Sequence, residues 1–185
     1  MSKMMMTTLA FCCLALVAFC CLALVACGGQ TQSSEMSGET LAELIQKFDE
    51  DAKVQSNGVQ FTLNERELFM VFDAKADRMR IITPIAQAGL ANEEVLTRML
   101  QANYDAVLDV RYAMGNNIIW ATFIHPLSSL TQEDFLSGVA QAVTAAETFG
   151  TSYTSGAMVF GGGDSNAIHK DLLEKLEKAT KDKEI

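Results

Sequence analysis

The chain has 185 residues, of which 49% are hydrophobic and 20% charged, with a net charge of −9. That length suits one ordinary domain, and the composition excludes disordered, collagen-like and multi-span membrane classes. An acidic chain without clustered Lys and Arg cannot neutralise a phosphate backbone, so nucleic acid is excluded as a partner.

Residues 1–26 read as an export address. Lys3 is the one charge before Glu35, and residues 9–26 are 18 consecutive apolar side chains, counting Cys as apolar. A run of about 18 or more is long enough for a membrane span, whereas a secretory core is commonly 7–15. The octapeptide FCCLALVA occurs twice in tandem, at 11–18 and 19–26, and one copy fewer leaves ten apolar residues, an ordinary signal core. Of the five cysteines, Cys12, Cys13, Cys20 and Cys21 follow Phe or another Cys; Cys27 alone follows a small residue. Leu24-Val25-Ala26-Cys27 resembles the lipobox of bacterial lipoproteins. That resemblance implies cleavage between Ala26 and Cys27 and diacylglyceryl attachment to the Cys27 thiol, with further acylation (palmitate class) of the new amino group. It implies a membrane partner through the lipid anchor. Gly28, in place of a retention Asp, implies the outer membrane, facing the periplasm. The mature chain would keep Cys27 as its sole cysteine, which excludes disulfides, thiol catalysis and Cys-based zinc sites.

Residues 27–39 form a Gly/Ser/Gln-rich tether. The domain, placed at 40–155, opens with a helix. Thr40 and Glu43 suit a capping box, and Leu41, Leu44, Ile45 and Phe48 recur at helical spacing. Asn57-Gly58 is a turn, and Val59, Phe61 and Leu63 alternate as a half-buried strand. Residues 68–72 form a second strand, apolar on both faces, and 79–83 a third, ended by Pro84. Asn92 caps a second helix, with Val95, Leu96, Met99 and Leu100 as its buried face. Residues 106–113 form a fourth strand, with Leu108, Val110 and Tyr112 on one side. Gly115-Asn116-Asn117 is a turn, and 118–124 a fifth strand. Thr131 begins the third helix, with Leu130 stapled to Phe135 and a stripe of Phe135, Leu136, Val139, Ala142, Val143 and Ala146. A Gly-rich hinge at 156–164, centred on Gly161-Gly162-Gly163, leads to a charged amphipathic helix at 165–185 with Ile168, Leu172 and Leu176 on one stripe. Asp171–Lys175, Glu174–Lys178 and Glu177–Lys181 are favourable i,i+4 pairs along it. A solvated helix that docks loosely and a partner-binding segment are both open for it.

The fold class is therefore α+β: an antiparallel sheet with packed helices in the order α-β-β-β-α-β-β-α, plus the C-terminal charged helix. Over residues 41–149 this order resembles the type III secretion chaperone-like fold, of the Tir-chaperone type and YbjN-like proteins. The matching features are the hairpin 68–72 into 79–85, the Thr83-Pro84-Ile85 step, the helix at 94–103, and the strand 116–127 running into 130–149. The resemblance implies a small, acidic, dimer-forming binding protein without a catalytic centre. Secretion chaperones act in the cytosol, whereas this chain carries an export signal.

Catalytic signatures are sparse. His125 ends a strand and His169 lies on the tail helix, without the spacing of a metal site. No G-x-S-x-G turn sets up a nucleophile, and Gly161–163 lacks the Lys-Ser/Thr of a phosphate loop. Asp73 and Asp77 flank a hairpin with too few ligands for calcium. Asp109 and Arg111 alternate on one strand as an outer polar face. No cofactor is expected, and neither a catalytic nor a metal residue is assigned.

The anomaly is surplus apolar surface. Strands 68–72 and 118–124 offer large side chains to both sheet faces, and helices of one small domain cover one. A second copy, a bound peptide or lipid-like ligand, or the tail helix must cover the other. Ile119, Phe123, Phe69 and Val71 are the partner-face candidates, with Ile118, Trp120 and Ile124 as the alternative register. These features point to a membrane-tethered, non-enzymatic protein-binding module of the cell envelope, a homodimer with a possible envelope protein partner. The alternative is an envelope enzyme or regulatory subunit acting on peptidoglycan or lipid.

Overall fold

The computed structural model describes residues 36–152, 158–159 and 165–183. The export address, Cys27, most of the tether and the Gly161–163 hinge lie outside the described residues.

Helix α1 (Gly38–Phe48) is capped by Ser37, whose hydroxyl accepts from the Thr40 N–H at 3.1 Å. The cap thus lies three residues before the expected Thr40, and 37–39 belong to the domain, not to the tether. An extended backbone at Ser37 aims its hydroxyl into the first turn, which leaves Thr40 inside the helix. Leu41, Leu44 and Ile45 are buried. A short strand β1 (Lys53–Gln55), which the sequence reading omits, opens a meander with β2 (Gly58–Leu63), β3 (Arg66–Asp73) and β4 (Arg78–Gln87). Asn64 and Glu65 join β2 to β3 with φ of 51° and 61°. Asn116 and Asn117, with φ of 52° and 60°, likewise join β5 (Arg111–Gly115) to β6 (Ile118–His125). Both links are two-residue turns whose positive φ matches the twist of the strands they connect.

Pro84 does not end β4. The strand runs on to Gln87, with a register shift between Pro84 and Ala86. The ladder from β3 stops at Ile82, so Pro84 has a strand neighbour on the β6 side alone. Its missing N–H costs little there, at a bulge. A 3₁₀ turn (Ala88–Leu90) leads into α2 (Glu93–Asp105), where the Asn92 side chain accepts from the Val95 N–H at 2.9 Å. The fourth strand is shorter than expected, starting at Arg111. Leu108 precedes it and is 60% exposed, whereas Val110 and Tyr112 are buried.

The six strands form one antiparallel sheet in the order β1-β2-β3-β4-β6-β5. Helix α3 (Gln132–Glu147) crosses β4 and β6, and α1 covers β2. Thr131 and Asp134 form a complete capping box at the start of α3. Gly138 brings α3 down onto the sheet: a Cβ there would stand 2.7 Å from the Phe123 ring. After a two-stranded pair, β7 (Thr151–Ser152) with β8 (Met158–Val159), helix α4 (Ser165–Lys181) bridges α1 and α3. Leu172, Leu176 and Thr180 are fully buried by that docking. This explains why α3 is buried nearly all round: the sheet lies beneath it and α4 above. The expected pairs Asp171–Lys175 and Glu177–Lys181 close at 2.7 and 3.5 Å.

Candidate functional site

Among the described residues, all the helices that pack on the sheet lie on one side of it, so β2, β3, β4, β5 and β6 have a covered face and an open face. The covered face carries Phe61, Leu68, Met70, Met79, Ile81, Tyr112, Ile119, Ala121 and Phe123, all buried. Ile119 and Phe123 are therefore core residues and leave the list of partner-face candidates. Phe123 lies beneath Gly138, and its ring stacks on His125 at 6.0 Å. Ile118, Trp120 and Ile124, the alternative register, point away from the helices.

The open face is built from rows set by the register. Val71 pairs with Arg80, and Arg80 with Ile124. In the next row Phe69 pairs with Ile82, Ile82 with Thr122, and Thr122 with Arg111. Pro84 pairs with Trp120, and Trp120 with Ala113. Ile124 is 48% exposed and Val71 36%, while Phe69, Ile82, Pro84 and Trp120 are half-buried by one another. The Trp120 indole donates to the Gly115 carbonyl at 3.0 Å, which fixes the ring across the face. Phe69 and Val71 lie on this open face with Pro84 and Arg111, together with Ile82, Arg78 and Arg80, which the sequence did not single out. Thr122 is a weak signal for the face of β6, since Thr83 is buried on the covered side of β4 with its hydroxyl bonded to the Glu67 carbonyl. Thr122 shares parity with Ile118, Trp120 and Ile124, and a hydroxyl there fits the side not sealed by helices.

The tail helix does not cover this face; it lies on the far side of the sheet, against α1 and α3. The tail is thereby removed from the candidate covers.

The outer edge of β5 is closed to an added strand. The Asn103 amide donates to the Tyr112 carbonyl at 3.1 Å, and its oxygen accepts from the Tyr112 N–H at 2.7 Å. Arg111 folds its guanidinium onto the Val110 carbonyl at 2.6 Å. A side chain that occupies both backbone groups of an edge residue blocks pairing there.

A second exposed apolar surface follows α2. Leu100, placed on the buried face by its spacing, is instead 71% exposed, with Tyr104 one turn on at 92%. Leu90, Leu108 and Met114 are also exposed in this part of the chain. A shallow groove lined by Thr97, Arg98, Leu100, Gln101, Tyr104 and Asp105 runs along the helix. Helix α2 packs on the narrow edge strand β5, which buries Met99 and Ala102 and leaves the far flank uncovered.

Acid–base groups are dispersed. Asp77 holds the loop after β6 by accepting from the Ser128 N–H at 2.8 Å and hydroxyl at 2.7 Å, bonds that lower its pKa. Asp109 lies before β5, tied through its N–H and carboxylate to Gln141. The Tyr112 hydroxyl donates to the Ala145 carbonyl, and burial raises its pKa. Burial lowers that of His169, which lines a cavity of about 30 Å³ between α4, α3 and residues 106–110. That space is too small for a metabolite. Among the described residues no three His, Cys, Asp or Glu side chains converge to hold a metal, and no helix is long and apolar enough to cross a membrane.

No family model matches the chain, and no curated protein matches it. Among solved structures, it is similar to one in the ExsC-ExsE complex, at 12% identity and a TM-score of 0.49, over 60% of this chain and 92% of that one. A chain of the HopA1-SchA chaperone-effector complex aligns at 11% identity and a TM-score of 0.47, over 59% and 91%. The Yersinia pestis type III secretion chaperone SycH, solved with a stable fragment of YscM2, gives 12% identity and 0.47, over 60% and 98%.

Proposed function

We propose that this chain is a non-enzymatic binding module of the bacterial cell envelope and that it takes up a segment of another protein on the open face of its sheet. The observation that carries the reading is that face itself. Phe69, Val71, Ile82, Pro84, Trp120 and Ile124 share this open face around Arg80 and Thr122, and the described helices that pack on the sheet lie on its other side. Apolar area left in water forgoes about 25 cal/mol per Å² that a partner would recover. Benzoylphenylalanine in place of Ile124 should trap a discrete protein adduct in living cells, and in place of Lys175 on the exposed side of α4 should trap none. Equal trapping at both positions, or none at 124, removes the reading.

The same proposal anchors the module to a membrane by acyl chains on Cys27, after cleavage behind Ala26, with the outer membrane facing the periplasm as its place. Two or more acyl chains, at about 0.8 kcal/mol per buried methylene, hold a protein stably on a bilayer. Cys27→Ala should abolish incorporation of labelled palmitate and leave the precursor uncut; labelled and processed Cys27→Ala protein refutes the anchor. The homodimer belongs to this reading too, but on a different surface from the peptide: the exposed flank of α2, where Leu100 and Tyr104 stand one turn apart.

A further inference from the structure

The open face is not uniformly apolar, and its charges run against those of the chain. The whole protein carries −9, yet three of its five arginines, Arg78, Arg80 and Arg111, occupy this one face. Arg80 stands between Val71 and Ile124 in the same row, with Arg78 two residues away on the same side. A dish of about 400 Å³ at that end of the sheet is lined by Val71, Asp73, Arg78, Arg80 and Asn57. Arg80 makes no ion pair or side-chain hydrogen bond among the described residues. Arg78 stands opposite Asp73 in the register and feels the Asp77 carboxylate, which is bonded to Ser128, so Arg80 is the cation of the face without a carboxylate opposite it.

A purely apolar cover would strand the Arg80 charge away from water without a counter-charge, which is strongly unfavourable. Whatever covers Val71 and Ile124 must therefore bring a carboxylate to Arg80. The closed edge of β5 says that the occupant is not an added strand at that side. A helix satisfies its own backbone bonds and asks only side chains of its host, as α1 and α3 do on the opposite face. An anionic bilayer is disfavoured by Glu67 and Asp73, which share the face, and by the acidity of the chain.

We infer that the open sheet face is a docking site for an acidic amphipathic helix of a partner protein, its apolar stripe laid on Phe69, Val71, Ile82 and Ile124 and its carboxylates set against Arg80 and Arg78. This rests on the docking face proposed above and adds the chemistry of what docks.

Trp120, the chain's single tryptophan, lies on this face and reports on it directly. The full chain, reconstituted in phosphatidylcholine nanodiscs, is titrated with a tryptophan-free synthetic peptide of about five helical turns, Leu on one stripe and Glu beside it. A twin carries Lys for every Glu. The acidic peptide should shift Trp120 emission to the blue and slow its quenching by acrylamide, and added salt should weaken this. The lysine twin should do neither. Arg80→Gln, an exposed change that spares the core, should weaken the acidic peptide by about tenfold, the loss of one charge-assisted pair. Equal binding of the twins, or wild-type affinity in Arg80→Gln, keeps a docking face but overturns its acidic specificity. No response to either peptide by a chain that melts normally overturns the docking face itself. A blue shift on phosphatidylglycerol nanodiscs alone assigns the face to lipid, and concentration-dependent protection without peptide assigns it to a second copy; either overturns the proposal.

Discussion

Ile119 and Trp120 are neighbours in the chain with opposite fates. Ile119 is 1% exposed beneath the helices, and Trp120 lies half-buried on the open face. A lysine at 119 would put an unpaired ammonium into a close-packed core, the kind of change that costs upwards of about 4 kcal/mol. A lysine at 120 meets solvent and loses a partly exposed ring and one indole hydrogen bond. Ile119→Lys should therefore be unfolded by circular dichroism at 25 °C, while Trp120→Lys should melt cooperatively. The reverse pair would invert the assignment of the two faces. At this scale the sequence leaves the face undecided, because β6 places large apolar groups at both parities. The tie is broken by the register with Arg80, which becomes visible once β4 and β6 are known to pair. Leu100 is harder to read: its spacing on α2 is that of a core residue, and nothing in the chain announces that β5 is too narrow to cover that flank.

Helices read well from spacing and caps, with boundaries near those observed for α2, α3 and α4. The elements misread are those whose existence depends on a neighbour. Strand β1 is three exposed residues held by β2, with no pattern of its own. Pro84 stays inside β4 because the ladder with β3 stops two residues earlier, at Ile82. The tail helix shows what docking adds to an amphipathic stripe. Leu172 and Leu176 are sealed against α1 and α3, and Lys183 reaches Glu50 at 2.6 Å. His169 enters the same interface, where its Nδ1 has no hydrogen-bond partner among the described residues. The groups lining its cavity from α3, α4 and residues 106–110 are apolar, Gln141, Thr144 and Asn166, with no carboxylate among them to stabilise an imidazolium. Burial lowers the His169 pKa below 6.5, so the unfolded chain binds its proton more readily than the folded one. The stabilising contribution is complete above about pH 6.5 and declines as pH falls from there through the folded value. The protection factors of the α4 amides, taken relative to the intrinsic exchange that slows with falling pH, should drop between pH 7.5 and 5.5, and His169→Gln should flatten that change. An α4 whose protection is indifferent to pH in this range would show that the imidazole is solvated after all. The Glu50–Lys183 pair acts at lower pH, since it holds the Glu50 carboxyl below its usual value and is lost as that group protonates.

The described residues present two surfaces with exposed apolar groups, of different character. The sheet face carries arginines on an acidic protein, whereas the α2 flank sets Leu100 and Tyr104, standing far into solvent, among Thr97, Gln101 and the oppositely charged Arg98 and Asp105. A two-fold contact brings the same patch together from both copies, so it favours a surface without a concentrated like charge at its centre. The α2 groove meets that condition better than the sheet, where stacking two copies brings two sets of Arg78 and Arg80 towards one interface. Large aromatic and aliphatic anchors also dominate interface energies, and a tyrosine 92% exposed on a helix is an anchor in want of a pocket. In multi-angle light scattering of the nanodisc-free chain in a mild detergent, wild type should run as a dimer. Leu100→Glu and Tyr104→Glu should each run as folded monomers, because both sites are solvent-exposed in one copy and a carboxylate there costs the fold little. Neither change should alter the response of Trp120 to the acidic peptide, since the two surfaces lie on different elements. A wild-type chain that stays monomeric at high concentration would remove the dimer, and loss of the Trp120 response in Tyr104→Glu would mean that the sheet face is assembled only when two copies meet.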